Sequence, residues 1–125
     1  MGRIRQDIDV KGRNCWTLFD TGARNTYVSR SVASLLSVAA ADEPVRTGLG
    51  GQIREAKEVA FLKAKVEGHP LFTHALVLDE IGKDEDGKAI EVLLGALAML
   101  QWGIRPIPDE ERLDLSHFTT EFIEF

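Results

Sequence analysis

Asp20 closes the apolar run Leu18-Phe19 and is followed directly by Thr21, Gly22 and Ala23. An ionised carboxylate at the end of an apolar strand is costly to bury without partners. Those residues alone admit two readings. In one, Asp20 opens a turn that Thr21 and Gly22 complete. In the other, the carboxylate is held in place for acid or base work. The remaining candidates carry less. His69, His74 and His117 lack metal-ligand spacing, so turn or surface roles are expected. Cys15 has no histidine near it in sequence and reads as a buried strand cysteine. Asp79 to Lys88 resembles a calcium loop only in outline, because Gly82 and Leu93 would stand at its first and last ligand positions. No metal or cofactor is expected. Gly48-Leu49-Gly50-Gly51 lacks the ending and glycine spacing of a phosphate loop. Trp16 and Trp102 fit core or dimer contacts better than a ligand cage.

The elements that must position Asp20 are short and punctuated by glycine, which favours strands. Ile4, Ile8 and Val10 lead into a turn over Lys11-Gly12-Arg13-Asn14, and Cys15 to Phe19 returns as the second arm of a hairpin. Thr26-Tyr27-Val28 is a further extended piece. Ser29 is placed to cap a helix through Val32, Leu35 and Leu36, with Pro44 marking the break after it. Gly48, Gly50 and Gly51 around Leu49 form a hairpin tip. Between Glu55 and Val66 the alternation of Ala60, Leu62, Ala64 and Val66 predicts a long strand. Glu67 to Pro70 turns the chain and Leu71 to Leu78 returns. Asp79 to Lys88 is a charged loop, Ile90 to Leu94 a strand, and Ala96 to Gln101 a short helix stopped at Gly103. Arg112 to Leu115 alternates again, and Thr119 to Phe125 could form a terminal strand. The sum is one mostly-β domain with two short helices.

In this order the motifs resemble those of the retropepsin-like aspartic peptidases, the single-domain relatives of pepsin. Leu18 to Ala23 matches the family's two apolar residues followed by Asp-Thr-Gly-Ala, and Thr26 and Val28 match its sequel. Gly48 to Gly51 resembles the glycine-rich flap tip, and Leu93-Leu94-Gly95 the second motif. Arg112 to Leu115 resembles a late strand of cellular relatives. The resemblance implies a closed β barrel spanning residues 1–125 as a single domain, active as a symmetric homodimer. It implies an aspartic endopeptidase in which two Asp20 carboxylates, one per subunit, share a proton around a water. The single Asp-Thr-Gly is why the dyad needs two chains.

The resemblance also distributes roles. Asp20, Thr21 and Gly22 form the catalytic loop, with the Thr21 hydroxyl bonding to the partner's loop and Gly22 letting substrate backbone approach. Gly48, Leu49 and Gly50 cover the substrate. Leu18, Ala23 and Leu93 stand at pocket walls, although Leu18 and Leu93 read equally well as plain core. Arg24 replaces the acid usual at that place in retroviral members, and Ala96 replaces the arginine that pairs with it. Arg24 thus reads either as a substrate contact favouring acidic side chains or as a solvated loop residue. The alternative to an enzyme is a catalytically silent module of the same fold that dimerises or grips a peptide.

Composition narrows the partners. The 125 residues carry 20 acids against 15 lysines and arginines, a net charge of −5. That balance speaks against nucleic acid as the main partner, and Arg3, Arg5, Lys11 and Arg13 read as one solvated edge. Hydrophobic residues reach 44%, ordinary for a chain with a core. One cysteine excludes an internal disulfide and suits a reducing compartment. The basic start runs into Asp7 and Asp9 rather than an apolar stretch, Gln6 spoils a myristoylation signal after Met1-Gly2, and no apolar tract is long enough for a membrane span. A cytoplasmic protein without membrane attachment is expected, with itself and a peptide or protein substrate as partners.

Overall fold

The computed structural model describes residues 3–123. Strands β1 (Arg3–Val10) and β2 (Arg13–Asp20) form an antiparallel hairpin. Their turn is tighter than the sequence suggests: only Lys11 and Gly12 lie outside the strands, both at positive φ. A two-residue turn of this kind matches the natural twist of paired strands. It sets a register in which Arg3 faces Asp20 and Arg5 faces Leu18. Strand alternation sends Cys15, Thr17 and Phe19 to one face, all fully buried, and Trp16, Leu18 and Asp20 to the other.

After the loop 21–26 come β3 (Tyr27–Ser29) and the four-residue helix α1 (Arg30–Ala33). The expected helix through Leu35 and Leu36 does not form. So short a helix has little intrinsic stability, and the Ser29 side chain bonds to Ser31 Oγ at 3.1 Å instead of capping it. Leu35 and Leu36 pack half-buried against the core from irregular chain. The next residues, alanine-rich and good helix formers, are drawn into β4 (Ser37–Leu49) by pairing with β5 (Gln52–Val66). Sheet pairing outweighs propensity there. Pro44 therefore sits inside a strand and not after a helix. It falls where the β4–β5 register shifts between Ala40 and Val45, on an edge strand whose missing amide costs little.

The long alternating strand is present, with Ala56, Ala60, Leu62, Ala64 and Val66 buried along β5. β6 (His69–Leu78) pairs back along it. The charged stretch is not a bare loop, because β7 (Gly82–Lys83) and β8 (Ala89–Ile90) pair within it as a small hairpin. Glu91 breaks the expected strand Ile90–Leu94, leaving β9 (Val92–Leu94). Its amide donates to Trp16 O at 2.8 Å while its carboxylate takes the Trp16 amide and pairs with Arg13. Then follow α2 (Ala96–Trp102), β10 (Arg105–Ile107), a short 3-10 turn and β11 (Arg112–Asp114), which pairs with β10. Of the expected terminal strand, Thr119 to Ile123 is irregular, and Glu124 and Phe125 lie outside the described residues, as does Met1-Gly2.

Seven strands form the main sheet in the order β1-β2-β9-β3-β6-β5-β4, and β1 also meets β5 through Asp9 and Lys65. β9 is threaded between β2, to which it is parallel, and β3, to which it is antiparallel. The two strands that flank the Asp20 loop are thus held apart by a strand from much later in the chain. The larger apolar cluster fills the interior, with Phe19, Val28, Leu62, Val92 and Leu94 fully buried. Burying each such side chain contributes about 1.5–3 kcal/mol. A second cluster, around Leu18, Tyr27, Ala56, Ile81 and Leu93, lies beside Asp20. The fold is mostly β with two short helices.

Candidate active site

Asp20 is the last residue of β2 and is 6% exposed. The Gly22 amide donates to its Oδ1 at 2.8 Å, and Arg3 Nε forms an ion pair with its Oδ2 at 3.4 Å. Ala23 N–H closes the turn onto Asp20 O at 3.2 Å. A carboxylate this deeply buried needs such partners, because burying it alone is costly. Thr21 and Gly22 follow on the exposed side of the turn.

The loop is clamped from behind by the start of α2. The first amides of a helix have no partner within it, and here Ala96 N–H donates to Ala23 O at 2.7 Å and Leu97 N–H to Arg24 O at 3.2 Å. Gly95 N–H donates to Thr26 Oγ1 at 3.1 Å. Gly95 approaches so closely that a Cβ there would stand 2.1 Å from Asn25 O. The two sequence motifs, Asp20 to Ala23 and Leu93 to Gly95, are therefore one structural unit.

Asp20 lies on a cleft of about 660 Å³. Leu18, Leu49, Gly50 and Leu93 line it too, so five of the ten residues singled out in sequence come together. Leu18 and Leu93 belong at once to the cleft wall and to the apolar cluster beneath it, which joins their two readings. Ala23 packs half-buried against that cluster without lining the cleft. Gly48 pairs with Ile53 in the arm of the β4–β5 hairpin and is exposed. Arg24 does not line the cleft; it borders a separate depression with Asn25, Val45 and Leu97.

Several cleft residues were not expected there: in sequence Arg3 and Arg5 read as a solvated edge and Trp16 as a core or dimer contact. Arg3, Arg5 and Trp16 come from the β1–β2 hairpin, and Ile81, Asp84 and Ile90 from the charged stretch. Asp84 anchors that stretch. Its Oδ1 takes the amides of Asp86 and Lys88, each at 2.9 Å, and its Oδ2 takes Trp16 Nε1 at 2.8 Å and faces Arg5 at 3.2 Å. Burial pushes the Asp84 carboxyl up, but the hydrogen bonds from Lys88, Trp16 and Asp86 and the Arg5 charge outweigh it and hold it below the ordinary value. Lys88 Nζ sits 3.9 Å from the Trp16 ring centroid, bracing the same corner.

The hairpin reaches the cleft through Leu49 and Gly50 at its tip, where Gly50 and Gly51 have φ of 60° and 79°. Its arm is tied to β3 by a 2.6 Å hydrogen bond between the Tyr27 hydroxyl and Thr47 Oγ1. The one cysteine plays no part. Burial, with Glu91 nearby, pushes the Cys15 thiol up to about 11, so it stays protonated and weakly nucleophilic at neutral pH. Among the described residues no cluster of three His, Cys, Asp or Glu side chains is arranged to hold a metal ion, and no helix is long and apolar enough to cross a membrane.

The model of the aspartyl protease family matches residues 7–97, which contain both motifs. The chain belongs to the retropepsin-like aspartyl proteases. No curated protein matches it by sequence. Among solved structures, the retroviral protease-like domain of Ddi1 from Leishmania major matches with a TM-score of 0.64 at 13% identity, over 94% of this chain and 91% of that one. The protease of simian foamy virus (mac) matches at 0.52 and 16% identity, covering 82% and 99% of the two chains. EIAV protease, solved with the inhibitor HBY-793, matches at 0.55 and 18% identity over 84% and 92%. At these identities the likeness is one of fold. The retropepsin-like frame agrees with the threading of β9 beside the Asp20 loop, which places the two family motifs side by side.

Proposed function

We propose that the chain is an aspartic endopeptidase, active as a symmetric homodimer in which each subunit supplies one Asp20. The observation that carries this is the position of Asp20: buried, hydrogen-bonded by the Gly22 amide and facing a cleft. The family membership supports the same reading. Among the described residues each chain has one such carboxylate. Of the other acids that border the cleft, Glu85, Asp86 and Glu111 are exposed, and Asp84 has its oxygens occupied by Trp16, Arg5 and two amides, which suits an anchor and not a base.

In this mechanism the paired Asp20 carboxylates share one proton and hold a water between them. The ionised member takes a proton from the water as its oxygen attacks the scissile carbonyl carbon. The protonated member donates to the carbonyl oxygen. The tetrahedral intermediate collapses when one of its hydroxyls gives its proton to the now ionised member, the C–N bond breaks and the leaving nitrogen takes the proton of the other. Thr21 holds the two loops coplanar by bonding across the twofold axis, and Gly22 leaves room for substrate backbone. The β4–β5 hairpin serves as the flap, with Gly48, Leu49 and Gly50 over the substrate. Leu18, Ala23 and Leu93 shape its pockets, and Arg24 meets acidic side chains at the rim. The ring of pairings from β1 through β9 and back through β5 is read as a closed barrel within a single domain over residues 1–125, in a cytoplasmic protein.

The decisive experiment incubates the purified chain with a mixed peptide library at several pH values. Cleavage is expected with a bell-shaped optimum on the acidic side of neutral. It should be blocked by pepstatin and by Asp20→Asn, and left intact by chelators and thiol reagents. If Asp20→Asn cleaves like the natural chain, Asp20 is not the catalytic group. If the folded natural chain cleaves nothing, it is a peptide-binding or dimerisation module.

A further inference from the structure

We propose that a second groove, separate from the cleft, docks an extended acidic peptide segment of a partner protein that carries an aromatic side chain. The groove has a volume of about 760 Å³ and lies between the β1–β2 turn, β5, the start of β6, the end of α2 and the tail. None of its lining residues lines the cleft. Its floor is aromatic. Trp102 is buried and its ring meets Phe72 at 5.1 Å and Phe122 at 5.6 Å, both edge-on. The indole N–H is already satisfied by Phe72 O at 3.0 Å, so the floor presents no polar demand. Phe72 and Phe122 nevertheless keep 49% of their surface exposed, an unusual allowance for two phenylalanines in one patch.

The rim inverts the charge of the molecule. Lys11, Lys63 and Lys65 border the groove, and none of them takes part in an ion pair among the described residues. The one rim acid, Asp9, is engaged by the Gly12 amide at 2.7 Å. A chain of net charge −5 thus carries a locally basic border around an aromatic floor. Carboxylates at the border and an aromatic ring on the floor are what such a surface selects. The tail displays that chemistry in miniature: Phe122 lies on Trp102 while Glu121 beside it stays exposed. Phe122 covers one side of Trp102, and the rest of the floor with its lysine border, where Lys63 also lies over the Phe61 ring at 5.8 Å, suits a segment of another protein.

The test uses the full chain and a fluorescein-labelled peptide, Glu-Asp-Phe-Glu-Asp-Leu-Phe, read by anisotropy at low salt. Binding in the range of about 10–100 μM is expected for a patch of this size. K63E/K65E should weaken it about tenfold or more, since both lysines are exposed and their loss leaves the core alone. A peptide with lysines in place of its acids should not bind. Equal binding to K63E/K65E, with circular dichroism showing both proteins folded, overturns the proposal, as does an absence of binding to the natural chain. Sedimentation showing an assembly larger than a dimer, lost in K63E/K65E, also overturns it, because the groove then holds another copy of this chain.

Discussion

Arg3 Nε stands 3.4 Å from Asp20 Oδ2, and the two residues face each other in the β1–β2 register. With the Gly22 amide donating to Oδ1, each oxygen of the carboxylate has one partner. Arg3→Gln removes one of them. The Arg3 side chain is 55% exposed, so the pair adds at most about 1 kcal/mol to stability. If Asp20 is the reacting group proposed, loss of a positioning partner costs on the order of tenfold or more in turnover. Arg3→Gln is therefore expected to unfold like the natural chain and to cleave peptides about tenfold more slowly. Unchanged turnover would make Arg3 an ordinary surface charge.

Gly95→Ala tests the clamp behind the Asp20 loop. Its Cβ would meet backbone, Asn25 O at 2.1 Å, which no side-chain rotation relieves. Either α2 or the loop 21–26 must shift, and the bonds from Ala96 and Leu97 stretch with it. Such overpacking costs about 1–3 kcal/mol or more. A lowered melting temperature is expected, with a loss of activity that stays evident at temperatures where the variant remains folded. A variant as stable as the natural chain would show that the motif junction is loose.

The hairpin is addressed by two changes. Gly50 and Gly51 have positive φ with open space around them, so valine there meets strain and no clash. The double valine variant is expected to stay folded and to lose most of its turnover. Tyr27→Phe deletes the bond to Thr47 without changing the core volume. Faster hydrogen exchange over residues 45–56 is expected, with a raised KM. Normal cleavage by the double valine variant would exclude the hairpin as a substrate cover.

Acid stability follows from Asp84. Its carboxyl is held below the ordinary value in the folded chain, so the folded state binds the proton less readily than the unfolded one. The resulting stabilisation is present above the unfolded value, about 3.9, and is lost as pH falls through the lower folded one. Asp84→Asn removes this titration. Melting temperature plotted against pH should thus fall less steeply below about pH 4 in the variant, from a lower starting value at neutral pH. Parallel curves would mean that Asp84 makes no acid-sensitive contribution.

Much of this arrangement was legible in the sequence, because local chemistry and tertiary role coincide there. Asp20 to Ala23, the alternation along β5 and the stop at Gly103 each follow from neighbouring residues. Arg3 was missed through the width of a single turn. A four-residue turn over Lys11 to Asn14 pairs Val10 with Cys15 and sets Arg5 opposite Asp20, whereas the two-residue turn brings Arg3 there. The positive φ at Lys11, a residue that rarely adopts it, hid that turn. The alanines after Leu36 and the small hairpin in the charged stretch were illegible for another reason: their state is decided by partners distant in the chain. Asp84 looked like one acid in a solvated run, and only folding brings Trp16 and Arg5 to it.

The proposed dyad can be tested by mixing chains. Asp20→Asn is nearly isosteric, and the Gly22 amide can still donate to its side-chain oxygen, so the variant should fold. It cannot supply the ionised carboxylate. Natural and variant chains are combined in equal amounts and allowed to exchange. Random pairing in a closed twofold dimer leaves about a quarter of the dimers with two aspartates. If mixed dimers are dead, activity per total dimer falls to about a quarter of that of the natural protein and not to half. Across a series of mixtures, the decline should follow the square of the natural fraction. A straight line would mean that each chain holds a complete site. Asp20 would then need a second carboxylate from its own chain, and Asp84, Glu85, Asp86 and Glu111 are the acids that border its cleft. Replacing each in turn would find it, and the two-chain mechanism would be wrong.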